Sequence, residues 1–316
     1  MIALLICALA VSAYKLNKPP RFMQETNFHV KRGQSLGQIA YGLKQANLIK
    51  NENFFKLIAY VLRDRHVKSG LYNINKDMTT LNIFLKLVLG DIITQRVTIP
   101  EGFNLYQTAQ RLERLNVTSS ESFLSYAFNV SFLKTIGVDS RSAEGYLFPD
   151  TYIFPESSDA REIISIMHRR MQGVLRTELA AAATSNRFSP HEILTLASLI
   201  EKEAAVPSER RLISGVFHNR LAQNWRLDCD PTVRYAAKNF DRPITRSQLN
   251  SDSPFNTYRH RGLPPTPICS PGRESIAAAL NPERTEYMFF VSRNDRSHVF
   301  SRTLAEHNRA VQEYQR

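Results

Sequence analysis

The segment Ser189–Ala204, with the sequence SPHEILTLASLIEKEA, is the stretch from which the fold of the chain can be read most directly. Ser189 is a favoured helix N-cap, Pro190 fits the first helical position, and Glu192 completes an S-x-x-E capping box. Apolar residues then recur at helical spacing on one face: Ile193, Leu196, Ala197, Ile200 and Ala204. The segment is therefore predicted to be a helix of the hydrophobic core.

Two carboxylates lie at the end of this predicted helix. On a helical wheel, Glu201 lies about 80° from the direction of Ile193, and about 160° separates it from Glu203. We therefore expect Glu201 to leave the helix at the edge of the apolar face, while Lys202 points to solvent. A carboxyl group with apolar neighbours on one side has a raised pKa, which suits a general acid.

The composition is that of a globular protein with room for two domains, since the 316 residues are 43% hydrophobic and 22% charged. The net charge of +12 favours either a polyanionic partner or a solvated basic surface. No nucleic-acid-binding signature accompanies the charge, and no C-x-x-C spacing indicates a metal site. Neither nucleic acid, a metal nor a cofactor is therefore predicted. Cys229 and Cys269 fit either a disulfide or two free thiols.

The chain begins with an uncharged run, MIALLICALAVSAY, which Lys15 and Lys18 follow. Its length is closer to a signal-peptide core than to a span of about 20 residues, yet no basic residue precedes it. Two interpretations stay open, a short transmembrane anchor over residues 1–16 or an unusual signal peptide. Both predict that the rest of the chain is exported.

Several common enzyme motifs are incomplete in this sequence. His191 and Glu192 begin an H-E-x-x-H pattern, but Thr195 stands where the second histidine is required. Ser131–Lys134 fits S-x-x-K, and no K-T-G triplet follows it. The chain also has no G-x-S-x-G elbow, no P-loop and no G-x-G-x-x-G. Zincin, penicillin-binding and nucleotide-dependent chemistry are therefore not predicted.

Residues 28–93 have the pattern of a small β-α-α-β unit. The segment from Phe28 to Ala40 reads F-x-V-x-x-G-Q-S-L-x-x-I-A, which resembles the opening of a LysM module. Such modules often bind N-acetylglucosamine polymers, and a structural spacer with the same fold is the alternative interpretation. Thr79 is predicted to cap a further helix, residues 81–89, which Gly90 ends.

Seven short motifs follow one another in the rest of the chain. They are E-G-x-x-F-P-D-T at Glu144–Thr151, L-A-S-L-I-E-K-E at Leu196–Glu203, V-F-x-N-R-L at Val216–Leu221, D-P-T-V at Asp230–Val233, N-T-Y at Asn256–Tyr258, G-L-P-P at Gly262–Pro265 and S-P-G at Ser270–Gly272. Together they resemble the YceG-like family of endolytic murein transglycosylases. The resemblance implies an α+β fold with a membrane anchor over residues 1–16, a linker over 17–27, a LysM-like domain over 28–93 and a YceG-like catalytic domain over 94–316.

The resemblance also implies an activity, which is lytic cleavage of the β-1,4 bond between N-acetylmuramic acid and N-acetylglucosamine in nascent peptidoglycan. Such a carbon–oxygen lyase leaves 1,6-anhydromuramyl ends and limits glycan elongation, and the family motif assigns catalysis to Glu201. A hydrolase needs two carboxylates, whereas a lytic enzyme can use one as acid and then as base. The implied location is single-pass in the bacterial inner membrane with a periplasmic catalytic domain. Peptidoglycan synthases and penicillin-binding proteins are the implied partners.

Other polar residues of the motifs are candidates for binding sugar or for orienting Glu201. They are Tyr146, Asp150, Thr151, Glu203, Asn219, Asp230, Thr232, Asn256 and Tyr258. For Glu203, an ion pair with Arg210 or Arg211 is the alternative interpretation. Two other functions also stay open, a hydrolytic muramidase and a non-catalytic, membrane-tethered protein that binds peptidoglycan.

Overall fold

The computed structural model describes residues 1–182 and 188–315, which form a mixed α+β protein. The α+β prediction is thus confirmed. The chain divides into two compact units, each built from three stretches of sequence. Unit 1 comprises Met1–Arg96, Leu115–Thr118 and Ile153–Ser158. Unit 2 comprises Val97–Arg114, Ser119–Tyr152 and Asp159–Arg316.

Unit 1 contains a β-α-α-β sequence of elements between two further helices. The elements in chain order are α1 (Ile2–Asn17), β1 (Thr26–Val30), α2 (Leu36–Gln45), α3 (Glu52–Val61), β2 (Gly70–Ile74) and α4 (Thr80–Leu89). Strands β1 and β2 are antiparallel, with Phe28 opposite Tyr72. Helix α4 follows the Thr79 cap and ends at Gly90, whose backbone is left-handed, so the sequence predicted this helix to within one residue.

Three aromatic side chains fill the core of unit 1. Tyr72, Phe55 and Phe84 are fully buried, and the two phenylalanine rings meet edge to face with 5.5 Å between centroids. The Tyr72 hydroxyl lies 2.6 Å from Lys68 O and 3.1 Å from Leu87 O, so its one proton is shared between these two acceptors. Burial raises the pKa of Tyr72 to about 12, so its proton stays in place to hold β2 against α4.

Helix α1 carries its apolar side chains in exposed positions. The large ones are Ile2, Leu4, Leu5, Ile6, Leu9 and Val11. Its last turn is held by α4, because Leu16 O accepts from the Thr80 hydroxyl (3.2 Å) and Asn17 Oδ1 from the Leu81 N–H (2.9 Å). Across residues 1–182 and 188–315, no helix has both the length and the apolar character of a membrane span.

Unit 2 is mainly helical. Strands β3 (Thr94–Thr98) and β4 (Thr151–Pro155), whose residues are divided between the two units, form a two-stranded sheet. In unit 2, β5 (Phe289–Ser292) and β6 (His298–Ser301) form an antiparallel hairpin. The helices are α5 (Leu105–Arg114), α6 (Ser120–Ala127), α7 (Val130–Thr135), α8 (Ala160–Ala181), α9 (Pro190–Glu203), α10 (Arg210–Ala222), α11 (Asp230–Ala236), α12 (Arg246–Leu249), α13 (Arg273–Leu280) and α14 (Leu304–Tyr314). A 3-10 turn, Pro207–Glu209, precedes α10.

Helix α9 lies at the centre of the core of unit 2. Its predicted capping box is present, because Ser189 accepts from the backbone of Glu192 and the Glu192 side chain accepts from the backbone of Ser189. The prediction of a single apolar face was too narrow. Leu194 and Leu199 lie outside that face and are also fully buried, because α10, α11 and α13 all pack against α9.

Candidate active site

Glu201 occupies the last turn of α9, directly after eight consecutive buried residues. Its side chain is 8% exposed, so it is largely withdrawn from water. The helix that brings it here is fixed by core packing upstream. Glu201 therefore has a defined position, as a catalytic group requires.

Two hydrogen-bond donors at the start of α13 hold one oxygen of this carboxyl group. The Gly272 N–H donates to Glu201 Oε2 (3.0 Å), and the Ser275 hydroxyl donates to the same oxygen (2.7 Å). Gly272 is the N-cap of α13, where backbone N–H groups have no partner within the helix and the helix dipole favours negative charge. This oxygen is therefore well suited to carry the negative charge of the ionised group.

The second oxygen faces a guanidinium group. Arg210 Nη2 lies 3.9 Å from Glu201 Oε1, and the Arg210 side chain is itself only 14% exposed. Arg210 Nε is buried and has no hydrogen-bond partner among the residues that the structure describes. A largely buried cation without a close acceptor for this N–H can therefore stabilise charge on either Glu201 or a bound ligand.

A loop from the start of unit 2 brings a second carboxyl group to the site. Gly102 N–H donates to Ser270 O (2.9 Å), which anchors the loop beside the segment that precedes α13. Glu101 lies against Gly272 so closely that a Cβ atom on that glycine would overlap its carboxyl group. Burial raises the pKa of Glu101, and the negative charge of Glu201 raises it further, while Arg210 opposes both.

A cavity of ≈ 240 Å³, here called the active-site cavity, lies at the end of α9, and Glu201 itself is not among its lining residues. Gly102 and Lys202 line it, and a Cβ atom on Gly102 would lie 3.7 Å from Glu201 Cγ. Lys202 is exposed as predicted, but its Nζ also donates to Gly102 O (3.4 Å), so it belongs to the cavity wall. The other lining residues are Asn104, Gln107, Pro231, Arg234, Tyr235, Phe240 and Ile268.

Sequence reasoning missed three side chains of this site, namely Glu101, Arg210 and Ser275. The tripeptide Pro100-Glu101-Gly102 carried one usable signal, because a proline and a glycine around an acidic residue indicate a fixed loop. Ser275 carried no local signal, because it lies in an ordinary helical stretch, and the sequence suggested Arg210 only as a partner of Glu203. Their contribution depends on how α10 and α13 pack against α9.

Four of the predicted substrate-binding residues, Glu203, Asp230, Thr232 and Tyr258, lie around the start of α11. The Tyr258 hydroxyl donates to Asp230 Oδ1 (2.7 Å), and both residues line a separate cavity of ≈ 550 Å³. Burial, and then the hydrogen bond to Asp230, raise the pKa of Tyr258. Thr232 is fully buried, and its hydroxyl donates to Cys229 O (2.6 Å).

The alternative interpretation of Glu203 as an ion-pair partner of Arg210 or Arg211 was wrong. The Cys229 thiol donates to Glu203 Oε1 (3.0 Å), and burial raises the pKa of Glu203. Arg210 instead faces Glu201, and Arg211 Nε donates to Asn281 O (3.1 Å). A disulfide is not formed either, because Cys229 and Cys269 are both free and buried.

The remaining five predicted residues lie elsewhere in unit 2, and each makes hydrogen bonds within that unit. Tyr146 OH is 2.7 Å from His191 Nδ1, Asp150 Oδ2 accepts from Arg170 Nε (2.9 Å), and the exposed Thr151 bonds Thr98 between hydroxyls (2.9 Å). The side-chain amide of Asn219 donates to the carbonyl oxygens of Thr285 and Tyr287. The side-chain amide of Asn256 donates to the carbonyl oxygens of Leu249 and Ser251. Substrate binding by all nine candidates stays a prediction.

Comparison with known proteins places this arrangement in a family. The model of the YceG-like family matches residues 28–313, and the chain therefore belongs to that family. The resemblance read from the motifs is thus confirmed.

Individual relatives agree with the family match. The endolytic murein transglycosylase of Bacillus subtilis (strain 168) is 33% identical over 304 residues, which cover 91% of this chain and 84% of the relative. The protein of the same name from Streptococcus pneumoniae (strain D39) is 29% identical over 317 residues, and the match spans 90% of this chain but 57% of the relative's length. A crystal structure of a YceG-like protein from Listeria monocytogenes is similar with a TM-score of 0.62 and 32% identity, over 91% of this chain and 99% of that one.

Proposed function

We propose that this protein is an endolytic murein transglycosylase that cleaves the β-1,4 bond between N-acetylmuramic acid and N-acetylglucosamine in nascent strands. One observation carries the proposal. Glu201 belongs to the family's E-K-E motif, and two donors hold its Oε2 atom. Among the described residues, no hydrogen bond to its Oε1 atom is found. The names of the relatives in Bacillus subtilis and Streptococcus pneumoniae support the same activity.

The geometry supports a mechanism with one catalytic carboxyl group. Glu201 Oε1 carries a proton and transfers it to the glycosidic oxygen as the bond from that oxygen to C1 of the muramyl residue breaks. The resulting carboxylate is stabilised by Gly272, Ser275 and Arg210. It then accepts the proton of the C6 hydroxyl while O6 bonds to C1, so that no water is consumed and Glu201 regains its proton.

Product mass tests the proposal. Purified protein acting on nascent, uncrosslinked strands is expected to release fragments whose muramyl ends weigh one water less than hydrolysed ends. Mass spectrometry of the fragments reads this difference directly. Absence of cleavage, or ends that have gained water, would contradict the lytic mechanism.

Hydrolysis remains the second candidate function because Glu101 places another carboxyl group beside Glu201. A hydrolase uses such a pair, one group as acid and the other as nucleophile or as base for water. The raised pKa of Glu101 disfavours its ionised form, which is the form a nucleophile or base needs. The same product analysis separates the two functions.

We also propose that the chain is attached to the bacterial inner membrane by its N-terminal segment, with unit 2 in the periplasm. Support comes from the exposed apolar side chains of α1 and from the lysines that follow them. Expression of the full chain is expected to place it in the membrane fraction. The double substitution Leu5→Glu and Leu9→Glu should release it, whereas retention of this variant would contradict the attachment.

For unit 1 we propose a LysM-like role in glycan binding, and for the whole chain an association with peptidoglycan synthases and penicillin-binding proteins. The β-α-α-β order of unit 1 supports the first part. Binding of the Glu201→Gln protein to isolated sacculi, with competition by N-acetylglucosamine oligomers, tests it. Cross-linking in growing cells tests the association with synthases, and recovery of no synthase would contradict it.

A further inference from the structure

A second cavity of unit 2, of ≈ 380 Å³, has a wall rich in aromatic rings and is here called the aromatic cavity. Its aromatic lining residues are Tyr106, Phe128, Tyr235 and Phe255. Tyr106 and Phe128 have centroids 6.0 Å apart, and those of Tyr235 and Phe255 are 5.1 Å apart. Such a surface suits a ligand with apolar faces, because aromatic rings bury large areas against sugar or aliphatic groups.

Two cations stand at this aromatic wall. Arg141 and Lys238 both line the cavity and are exposed, and Lys238 Nζ lies 4.9 Å from the centroid of the Tyr106 ring. Within residues 1–182 and 188–315, neither cation pairs with a carboxylate. Two cations that lack an internal acid partner beside an aromatic surface match a ligand that brings its own carboxylate.

The backbone at Lys238 adds a separate observation. Lys238 follows the C-cap of α11 and has φ +49°, in the left-handed region that glycine or asparagine usually occupies. Any residue with a Cβ atom is less favourable than glycine at such a position. The presence of lysine here is consistent with use of the ammonium group at the cavity.

The aromatic cavity and the active-site cavity share one lining residue, Tyr235. Phe240 of the active-site cavity has its ring 6.0 Å from that of Tyr106 and 6.4 Å from that of Tyr235. A ligand bound beside Glu201 can therefore extend a substituent along these rings.

We propose that the aromatic cavity binds the stem peptide of a muramyl residue next to the cleaved bond, with Arg141 and Lys238 taking its carboxylates. The inference rests on the proposed function and deepens it, because it names the part of the substrate that is recognised. A stem peptide on the lactyl group of muramic acid offers aliphatic side chains and several free carboxylates. A glycan without peptides offers hydroxyl groups, which do not require two cations.

Binding and cleavage are measured separately. A muramyl pentapeptide is titrated into the full-length protein, and kcat/KM is measured on uncrosslinked strands and on the same strands after an amidase has removed the peptides. The test variant is Arg141→Glu with Lys238→Glu. The matched control is Lys134→Glu with Arg176→Glu, which makes the same charge change at two exposed positions of unit 2 that do not line the aromatic cavity.

The test variant is expected to bind the muramyl pentapeptide about ten-fold more weakly or worse. Its kcat/KM on peptide-bearing strands should fall by a similar factor, with little change on strands without peptides, and the control should behave as the original protein. Equal loss on both substrates, or unchanged peptide binding, would overturn the inference. Peptide binding without any cleavage would instead count against the proposed function alone, so the two failures are distinguishable.

Discussion

The surroundings of Glu144 and of Glu201 differ although both carboxyl groups lie in unit 2 and accept the same kinds of hydrogen bond. Glu144 Oε2 accepts from the Leu105 N–H (3.1 Å), at the start of α5, and from the Tyr235 hydroxyl (3.0 Å). Glu201 Oε2 likewise accepts from one backbone N–H and one hydroxyl at the start of α13. The donors alone therefore do not distinguish a structural carboxyl group from the one proposed to be catalytic.

Access and charge make the difference. Glu144 is fully buried, its Oε1 has no hydrogen-bond partner in the described part of the chain, and burial raises its pKa to about 8. Glu201 has Arg210 near its Oε1, and the neighbouring residues Gly102 and Lys202 line a cavity. The first site keeps a proton in the interior of the fold, whereas in the proposed mechanism the second gives its proton to a ligand and is stabilised afterwards.

Glu201→Gln is expected to give the largest effect. The near-isosteric amide keeps the packing but cannot transfer a proton, so glycan cleavage should fall by roughly 10³-fold or more. Glu144→Gln should leave cleavage within about three-fold at pH 7, because the group it replaces is already uncharged. Product release and thermal unfolding of both variants check this, and retained cleavage in Glu201→Gln would remove Glu201 from the mechanism.

Ser275→Ala removes one of the two donors to Glu201 Oε2. A hydrogen bond to a charged group contributes about 1.5–3 kcal/mol, so kcat should fall by roughly 10- to 100-fold with the fold intact. Ser125→Ala is a matched control, because Ser125 is exposed and its hydroxyl donates only to Ser122 O (2.8 Å). An unchanged kcat in Ser275→Ala would mean that this donor does not stabilise the reacting carboxylate.

Glu101→Gln tests whether one carboxyl group is enough. In a lytic mechanism Glu101 is not the proton carrier, so activity should fall by no more than about ten-fold and the products should keep their anhydro ends. In a two-carboxylate hydrolase the same change would remove an essential group and nearly all activity. Steady-state rates and product mass, measured on the same samples, separate these outcomes.

A smaller effect, on the pH dependence of stability, is expected from the protonated Glu144 side chain. Its folded pKa of about 8 exceeds that of an exposed glutamate, about 4.3, so the unfolded state releases this proton first as pH rises. The stabilisation from the protonated group is fully present below about pH 4. As the pH rises from about 4 to about 8, the free energy of unfolding falls by up to about 1.4 kcal/mol per pH unit. Urea unfolding from pH 5 to pH 8 should show a shallower decline for Glu144→Gln; equal slopes would contradict the assignment.

Local features of the fold could be predicted from the sequence because they depend on neighbouring residues. Thr79 and Gly90 bound α4, and Ser189 with Glu192 opens α9. Each signal is a cap or a turn whose chemistry lies within a few residues.

The candidate site could be predicted only at Glu201, where the family motif and the helical spacing agree. Glu101 lies 100 positions earlier, and Ser275 contacts Glu201 from 74 positions later. Their meeting depends on tertiary packing, which no local pattern encodes. The predicted partner of Glu203 was incorrect for the same reason. Two arginines close in sequence suggested an ion pair, but the fold brings Cys229 to the Glu203 carboxyl group.

Unit 1 is completed late during synthesis, because its last segment ends at Ser158. Ser157 N–H donates to Asn116 O and Ser158 N–H to Val117 O, so residues far beyond Arg96 close its backbone hydrogen bonding. At about 5–20 residues per second, a ribosome needs several seconds to pass from Arg96 to Ser158. A chain stalled in that interval lacks these closing contacts and offers chaperones and proteases an unfinished unit.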